Sequence, residues 1–240
     1  MIIDNVYIIS VDLDNEFIES AKNRLRKLNA PIVQDQPKSI RLGSNKGDKI
    51  LEVLTALRKY PNWNLQTSST RFWNREITAG EIGCVTSHMN MWSEFHQSEN
   101  NIGLFLEQDF QPEFESTNWG VFDEIKDYDW DIILLGRHSL GEDTEVNLNY
   151  FIKPGYSYQA HAYLLSKKGV TKLINHYFNI LYKNLIPTDE FLPATFAKHP
   201  RADIDRMYSV KLMNALALRV DMISQSDWEG TGRSRTSPNG

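Results

Sequence analysis

The sequence predicts an α/β fold with a mostly parallel central sheet, and three segments support this prediction. Residues 102–106 are an apolar run that ends at two carboxylates, and residues 132–135 form a second such run. Apolar runs of this length are typical of strands buried on both faces, the usual state in a parallel sheet. The chain also opens with a strand-like run at 6–10, an acidic turn and a helical pattern to about Leu28. Strand, turn and helix in this order are the opening of a nucleotide-binding α/β unit.

The composition is that of an ordinary globular protein. The 240 residues are 41% hydrophobic and 24% charged, and we expect one domain over residues 1–240 with a flexible tail at 230–240. The net charge of −5 argues against general nucleic-acid binding. We expect no transmembrane segment, because no apolar window approaches the length that spans a bilayer. The N-terminus lacks a basic region and a cleavage site, so we expect a cytoplasmic location.

A capping box predicts the start of a helix at Thr78. The Thr78 hydroxyl and the Glu81 carboxylate are spaced so that each satisfies a free backbone N–H. The predicted helix runs to about Gln97. Cys84, the only cysteine, and His88 lie four residues apart on it and could share a metal ion. Two ligands do not make a site, and a packed or hydrogen-bonded His88 is the alternative.

Glu107 and Asp109 are the first candidate site residues. They follow the apolar run at 102–106, and Gln108 between them points to the opposite side of the strand. Ligands in open α/β sheets collect beyond the carboxyl ends of such strands. Two carboxylates there suit Mg²⁺ or Mn²⁺, which in turn would suit a diphosphate. The alternative is a strand that ends in solvated acids.

Asp189 and Glu190 form a second acidic pair, in a turn that starts a short predicted helix. Acidic residues at a helix N-terminus are also favoured by the helix dipole, so a structural role is the alternative for both. Before this pair, residues 156–165 predict an aromatic-rich strand and Ser166 caps the next helix. After it, residues 215–224 predict the last strand.

Six segments in order resemble glycosyltransferase family 25, which contains the procollagen galactosyltransferases and the lipopolysaccharide galactosyltransferases. The first segment lies near the N-terminus, and the other five fall within residues 76–228, most of which the resemblance covers. The last two segments are most similar to the catalytic half of the procollagen enzymes. The segments are V-Y-I-I-S at 6–10, G-E-I-G-C-V-T-S-H at 80–88, L-F-L-E-Q-D at 104–109, W-D-I-I-L-L-G-R at 130–137, Y-S-Y-Q-A-H-A-Y-L-L-S-K-K-G at 156–169 and D-E-F-L-P-A-T-F-A-K-H-P at 189–200.

The resemblance implies a GT-A-like nucleotide-binding sandwich and a metal-dependent, inverting hexosyltransferase. The donor it implies is UDP-galactose or UDP-glucose, and the acceptor is a hydroxyl of a hydroxylysine-containing or glycan molecule. Mn²⁺, or Mg²⁺, would be bound by Glu107 and Asp109. The family usually reads E-D-D at this strand end, whereas this chain has Gln108 in the middle. The acid-x-acid spacing that the metal role needs is retained.

Further roles follow from the same resemblance. Asp189 is the expected catalytic base, with Glu190 in reserve. Asp12, Gln225 and Asp227 are expected to contact the donor, and Glu107 could also contact the ribose. The sequence lacks the secretory signal of the animal enzymes, so we expect a microbial or viral relative.

The alternative function is a catalytically silent binding or adhesion module that keeps the nucleotide-sugar fold. Gln108 favours this alternative, because it replaces a carboxylate. The retention of Glu107, Asp109 and Asp189 together favours an active enzyme.

Overall fold

The computed structural model describes residues 1–10, 15–32, 38–41, 63–113 and 118–225, with the backbone alone at 10, 15–18 and 38–41. Asp12, Asp227 and the tail at 230–240 lie outside these residues. The strands are β1 Asn5–Ser10, β2 Lys38–Arg41, β3 Ile102–Glu107, β4 Phe110–Pro112, β5 Ile132–Leu134, β6 His138–Ser139, β7 Phe151–Ile152, β8 Ser157–Tyr158, β9 Ala162–Ser166, β10 Ala215–Leu218 and β11 Ile223–Gln225. The α-helices are α1 Asn15–Leu28, α2 Ala79–Gln97, α3 Lys167–Lys172, α4 Phe178–Lys183, α5 Thr188–Ala194 and α6 Ala202–Met207.

The main sheet has the strand order β2-β1-β3-β9-β5-β10-β7. Pairs β1–β2, β1–β3 and β5–β10 are parallel. In the described part of the chain, β9 and β7 run against the other strands of this sheet. The predicted α/β class with a mostly parallel, GT-A-like central sheet is therefore confirmed.

Two hydrophobic cores lie on the two faces of this sheet. Along β3, Phe105 belongs to one core, and Leu104 and Leu106 belong to the other. Successive side chains of a strand point to opposite faces, so the alternation assigns each residue of β3 to a face. The first core contains the buried side of α2 and the second contains that of α1. Glu107, next after Leu106, is therefore directed to the α2 face.

Helix α2 begins where the capping box predicts. The Thr78 hydroxyl accepts from the Glu81 backbone N–H, and the Glu81 carboxylate accepts from the Thr78 backbone N–H. The helix also has a buried apolar stripe, and His88 is fully buried. The stripe consists of Ile82, Val85, Met89 and Trp92. Because these apolar residues lie on one side of α2, that side packs against the sheet.

Two predicted strands are each divided in the structure, so those predictions were wrong in extent. Residues 156–165 contain β8 and β9, separated at Gln159, whose φ of 78° is incompatible with an extended strand. Residues 215–224 contain β10 in the main sheet and the start of β11, which pairs with β4 instead. The chain leaves the main sheet because the N–H groups of Met222 and Ile223 donate to the Leu135 carbonyl.

The helix predicted after Ser166 is present with an interruption. The Ser166 hydroxyl accepts from the Gly169 N–H as predicted. A π-helical turn at Leu173–Tyr177 then separates α3 from α4. Among the described helices, none combines the length and the apolarity needed to cross a membrane.

Candidate active site

Glu107 is the last residue of β3, and its carboxylate faces two side chains of α2. Its Oε1 accepts a hydrogen bond from Cys84 Sγ at 3.5 Å and lies 3.2 Å from His88 Nε2. Cys84 and His88 reach the same oxygen because residues four apart lie on one face of a helix. The side chain of Glu107 keeps 18% of its surface exposed.

A buried chain of hydrogen bonds supports His88 from behind. Trp92 Nε1 donates to the Tyr163 hydroxyl at 2.9 Å, and this hydroxyl lies 2.8 Å from His88 Nδ1. An indole N–H only donates, so the simplest assignment has Tyr163 donate to Nδ1, with the His88 proton on Nε2. Burial lowers the pKa of His88 to about 3. His88 is therefore a neutral donor to Glu107 at neutral pH.

Asp109 lies in the turn between β3 and β4 and has one oxygen without a partner. Its Oδ2 accepts from Gln225 Nε2 at 2.8 Å. Gln225 is brought there by the β11–β4 pairing, which sets it opposite Phe110. The Oδ1 atom of Asp109 is buried and has no hydrogen-bond partner in the described structure. A buried carboxylate oxygen in this state is costly unless a ligand satisfies it.

Arg24 of α1 holds the same turn from the other side of the sheet. Its Nη2 donates to the backbone carbonyl of Gln108, and its guanidinium lies 5.2 Å from the Phe110 ring centroid. Burial lowers the pKa of Arg24, and the negative charge of Asp109 opposes that shift. Arg24 therefore fixes the backbone that carries the first acidic pair. The Gln108 side chain is buried, with 7% of its surface exposed.

Asp189 reaches this edge of the sheet through the residues that precede β9. Its Oδ1 accepts from the Ala160 N–H at 2.7 Å, and the next carbonyl, that of His161, accepts from the Glu107 N–H at 2.8 Å. Strand β9 is antiparallel to β3, so its start lies at the carboxyl end of β3. Burial raises the pKa of Asp189 to about 7, and the charge of Glu107 adds to the shift.

The three carboxylates of Glu107, Asp109 and Asp189 therefore crowd one partly buried edge. Burial also raises the pKa of Glu107, and the charge of Asp109 raises it further. A nearby cation stabilises the charged forms of carboxylates crowded in this way. The orphaned Oδ1 of Asp109 and the oxygen donors around it fit a hard divalent ion.

Glu190 has the opposite surroundings although it follows Asp189 directly. It is fully buried, and four donors surround its two oxygens. Oε1 accepts from Trp73 Nε1 at 2.9 Å and from the Tyr158 hydroxyl at 2.6 Å. Oε2 accepts from the Tyr156 hydroxyl at 2.8 Å and lies 2.6 Å from His199 Nε2. A carboxylate has about four lone-pair positions, and all are used here.

The structure thus brings four of the predicted site residues together: Glu107, Asp109, Asp189 and Gln225. Glu190 lies in its own polar pocket, and the roles assigned to all five residues stay predictions. The sequence reasoning missed the donors to Glu190. Their signal was present in the aromatic-rich segment at 156–165, which contains Tyr156 and Tyr158.

The fold and this edge define a class: a GT-A-like α/β protein with clustered carboxylates at the carboxyl end of a central strand. The family model described as "Glycosyltransferase family 25 (LPS biosynthesis protein)" matches residues 4–192. The chain belongs to glycosyltransferase family 25. The family predicted from the six sequence segments is confirmed.

Curated relatives are similar over part of the chain. A "Glycosyltransferase 25 family member" of Anopheles gambiae is 36% identical over 135 residues, which are 54% of this chain and 22% of the relative. "Procollagen galactosyltransferase 1-B" of Xenopus laevis is 30% identical over 167 residues, 66% of this chain and 27% of the relative. The chain spans about a quarter of the length of these relatives. Among solved structures, mouse xyloside xylosyltransferase 1 aligns over 90% of this chain and 97% of its own, at 12% identity and a TM-score of 0.34.

Proposed function

We propose that this protein is a metal-dependent, inverting hexosyltransferase that moves galactose, or glucose, from a UDP-sugar to a hydroxyl acceptor. The observation that carries the proposal is the meeting of Glu107, Asp109 and Asp189 at one edge of the sheet, with a buried oxygen of Asp109 left without a partner. Family membership supplies the reaction class, and the residues at this edge supply the parts that such a reaction needs.

Asp109 and Glu107 are the residues that would hold the divalent ion, Mn²⁺ or Mg²⁺. When bound, such an ion supplies positive charge that stabilises a departing diphosphate. Gln225 holds Oδ2 of Asp109, which leaves Oδ1 for the ion. Arg24 holds the Gln108 carbonyl and so keeps the turn in place.

Asp189 is the residue we assign to the proton of the attacking hydroxyl. An inverting transfer needs one base in line with the leaving group, and a base is most effective when its pKa lies near the working pH. The pKa of Asp189 is raised to about 7 by burial and by Glu107. Its Oδ1 is held by Ala160, so its Oδ2 is the atom directed to an acceptor in this proposal.

Glu190, the reserve base, is assigned a positioning role. Each of its oxygens already has two hydrogen-bond donors, and none of its lone pairs is left for a substrate proton. It anchors the start of α5 to the aromatic segment around β8. Asp189 precedes it by one residue, so this anchor also sets the position of the proposed base.

The donor and acceptor are proposed from family membership. Procollagen galactosyltransferases are among the relatives of this chain, and we propose UDP-galactose as the first donor to test and UDP-glucose as the second. A hydroxylysine-containing or glycan molecule is the proposed acceptor. Asp12 and Asp227 are retained as proposed donor contacts outside the described residues.

The experiment measures UDP release from UDP-galactose and UDP-glucose with Mn²⁺, with a panel of galactosyl and hydroxylysine acceptors. We expect release that EDTA abolishes and that restored Mn²⁺ recovers. Release that is unchanged by EDTA would contradict the metal dependence. Absence of release from every common UDP-hexose, in a protein that is folded by circular dichroism, would contradict the transferase proposal.

A second candidate function is favoured by one residue. Gln108 stands where the family usually has a carboxylate, and a silent nucleotide-sugar-binding module would tolerate this change. Metal-dependent binding of UDP without turnover, measured by calorimetry, would favour this module over the enzyme.

A further inference from the structure

We propose that Cys84, His88 and Glu107 form a second metal site, for a zinc-class ion, next to the oxygen site at Asp109 and sharing Glu107 with it. Helix α2 supplies the first two ligands and the end of β3 supplies the third. The Sγ, Nε2 and carboxylate oxygen atoms of these residues all lie within 4.8 Å of one another.

Two of the three distances between these atoms are close to those of a tetrahedral zinc site. With bonds of about 2.3 Å to sulfur and about 2.0–2.2 Å to nitrogen and oxygen, neighbouring ligand atoms in such a site are about 3.4–3.6 Å apart. Here Cys84 Sγ is 3.5 Å from Glu107 Oε1, and His88 Nε2 is 3.2 Å from the same oxygen. An ion could therefore take the place of the Cys84 thiol proton, which is released, and of the His88 Nε2 proton, which shifts to Nδ1 beside the Tyr163 hydroxyl.

The three donor types select the class of metal. Thiolate and imidazole favour zinc and its neighbours in the first transition row, whereas carboxylate and carbonyl oxygens favour Mg²⁺, Ca²⁺ and Mn²⁺. Sulfur and nitrogen ligands come from Cys84 and His88, and the contacts described around Asp109 provide oxygen for a cation. The two groups of ligands are thus chemically different although they lie side by side. Three protein ligands leave a fourth tetrahedral position open to water.

The surroundings of His88 are those of a metal-bound histidine. Its Nδ1 is paired with the Tyr163 hydroxyl, which Trp92 also contacts, so Nε2 is the ring nitrogen directed at the site. With the ring proton moved to Nδ1, the Tyr163 hydroxyl would accept it and fix the orientation of a metal-bound imidazole. His88 is fully buried, whereas Cys84 and Glu107 are partly exposed, so an ion can enter past them. The Cys84 thiol loses its proton to solvent when the metal binds.

Occupation of this site would affect the proposed reaction, a consequence that rests on the proposed function. Glu107 is shared between the two sites, because it is both the third ligand here and a proposed ligand beside Asp109. A zinc ion would hold its carboxylate towards α2. We therefore expect zinc to inhibit Mn²⁺-supported turnover, and to do so less in a variant without the thiol.

The test uses Co²⁺ as a coloured substitute for zinc in the purified, metal-stripped protein. Thiolate coordination gives Co²⁺ a charge-transfer absorption in the near ultraviolet, and Cys84 is the only cysteine that can produce it. We expect this absorption to appear on titration with Co²⁺ and to disappear when Zn²⁺ is added. Cys84→Ser should abolish it and weaken zinc binding at least about 100-fold, more than the roughly 10–100-fold cost of losing an outer-shell partner.

Two further variants separate the possible outcomes. Asp109→Asn should keep the absorption, because Asp109 is not a ligand of this site, and the exposed His176→Gln should keep it as a matched control for His88→Gln. No absorption in the wild-type protein, or absorption that survives in Cys84→Ser, would overturn the site. Loss of the absorption in a folded Asp109→Asn would overturn the separation of the two sites. Absorption without any UDP release would leave the zinc site standing and contradict the proposed function instead.

Discussion

Glu190 and Asp109, one carboxylate from each acidic pair, have opposite surroundings. Around Glu190, two tyrosine hydroxyls, an indole and an imidazole occupy both carboxylate oxygens. Asp109 has one side-chain donor, Gln225, and a buried oxygen with no partner in the described structure. The fold gives both oxygens of Glu190 hydrogen-bond donors and leaves one oxygen of Asp109 without a donor. Buried charges that the fold itself does not satisfy are the better candidates for ligand binding.

The same contrast separates neighbours within the second pair. Asp189 and Glu190 are consecutive on α5, yet the pKa of Asp189 is raised to about 7 by burial and by Glu107. Folding therefore disfavours the charged form of Asp189, while four donors hold Glu190. If this comparison is correct, substitutions at Glu190 affect stability, and substitutions at Asp189 and Asp109 affect turnover.

Glu190→Ala should have the largest effect. It leaves the four donors without their acceptor in a buried pocket, and a buried donor left unsatisfied costs about 1–3 kcal/mol. We expect the free energy of unfolding in urea to fall by about that amount, while the exposed Glu99→Ala control leaves it unchanged. If Glu190→Ala were as stable as the wild-type protein, the four donors would not make Glu190 a structural residue, and the contrast with Asp109 would be wrong.

Asp109→Asn should reduce UDP release by about 100–1000-fold, the cost of removing one well-placed electrostatic group from a transition state. The fold should be intact, because the amide retains an oxygen for Gln225. The measurement is UDP release with Mn²⁺ together with thermal melting. Asp127→Asn, at an exposed position, is the control for the loss of one carboxylate. Unchanged release in Asp109→Asn would remove the metal assignment.

Asp189→Asn should lower turnover by about 100-fold, within the range that a general base contributes. Its stability should be unchanged or higher. A carboxyl whose pKa is raised in the folded state loses stabilisation as the pH rises through that pKa, and the amide carries no charge to lose. Turnover and urea denaturation at pH 8 check both parts. If Asp189→Asn instead lost much of its stability while the molecules that remained folded kept normal turnover, Asp189 would have the structural role that we assign to Glu190.

Trp73→Phe should have the smallest effect, about 1 kcal/mol of stability, because it removes one of the four donors to Glu190 and keeps the ring. Turnover per folded molecule should be nearly unchanged. Urea denaturation gives the stability change, and Tyr128→Phe is a control at a more exposed ring. A loss larger than that of Glu190→Ala would show that packing of the indole, and not the carboxylate, holds this pocket.

The sequence predicted the central elements of the fold because their signals are local. The apolar run of β3, the Thr78–Glu81 capping box and the Ser166 cap each depend on residues close together in the chain. The division of the last predicted strand was missed for the opposite reason. Seven of the nine residues from 215 to 223 are apolar, as in one strand, and only the long-range pairing of β11 with β4 separates the two ends of this segment.

In the candidate site, too, the residues with a local sequence signal were predicted and those that meet only through long-range contacts were missed. Glu107 and Asp109 were found because a strand end marks them, and Asp189 was found as part of an acidic pair in a turn, to which the family resemblance then gave a role. The donors to Glu190 come from residues 73, 156, 158 and 199, which no local pattern connects. The third ligand beside Cys84 and His88 was missed as well, since Glu107 lies 19 residues beyond His88 and meets it only when β3 packs against α2.

The pairing of β11 with β4 has a consequence for how the protein is made. Gln225, which holds Asp109, is 116 residues away from it along the chain. During synthesis from the N-terminus, β3 and α2 are complete long before β11 leaves the ribosome. The carboxylates at the end of β3 are then present, but Asp109 has not yet met its side-chain donor. The complete arrangement at the Asp109 turn therefore arises only once β11 has been made and has paired with β4.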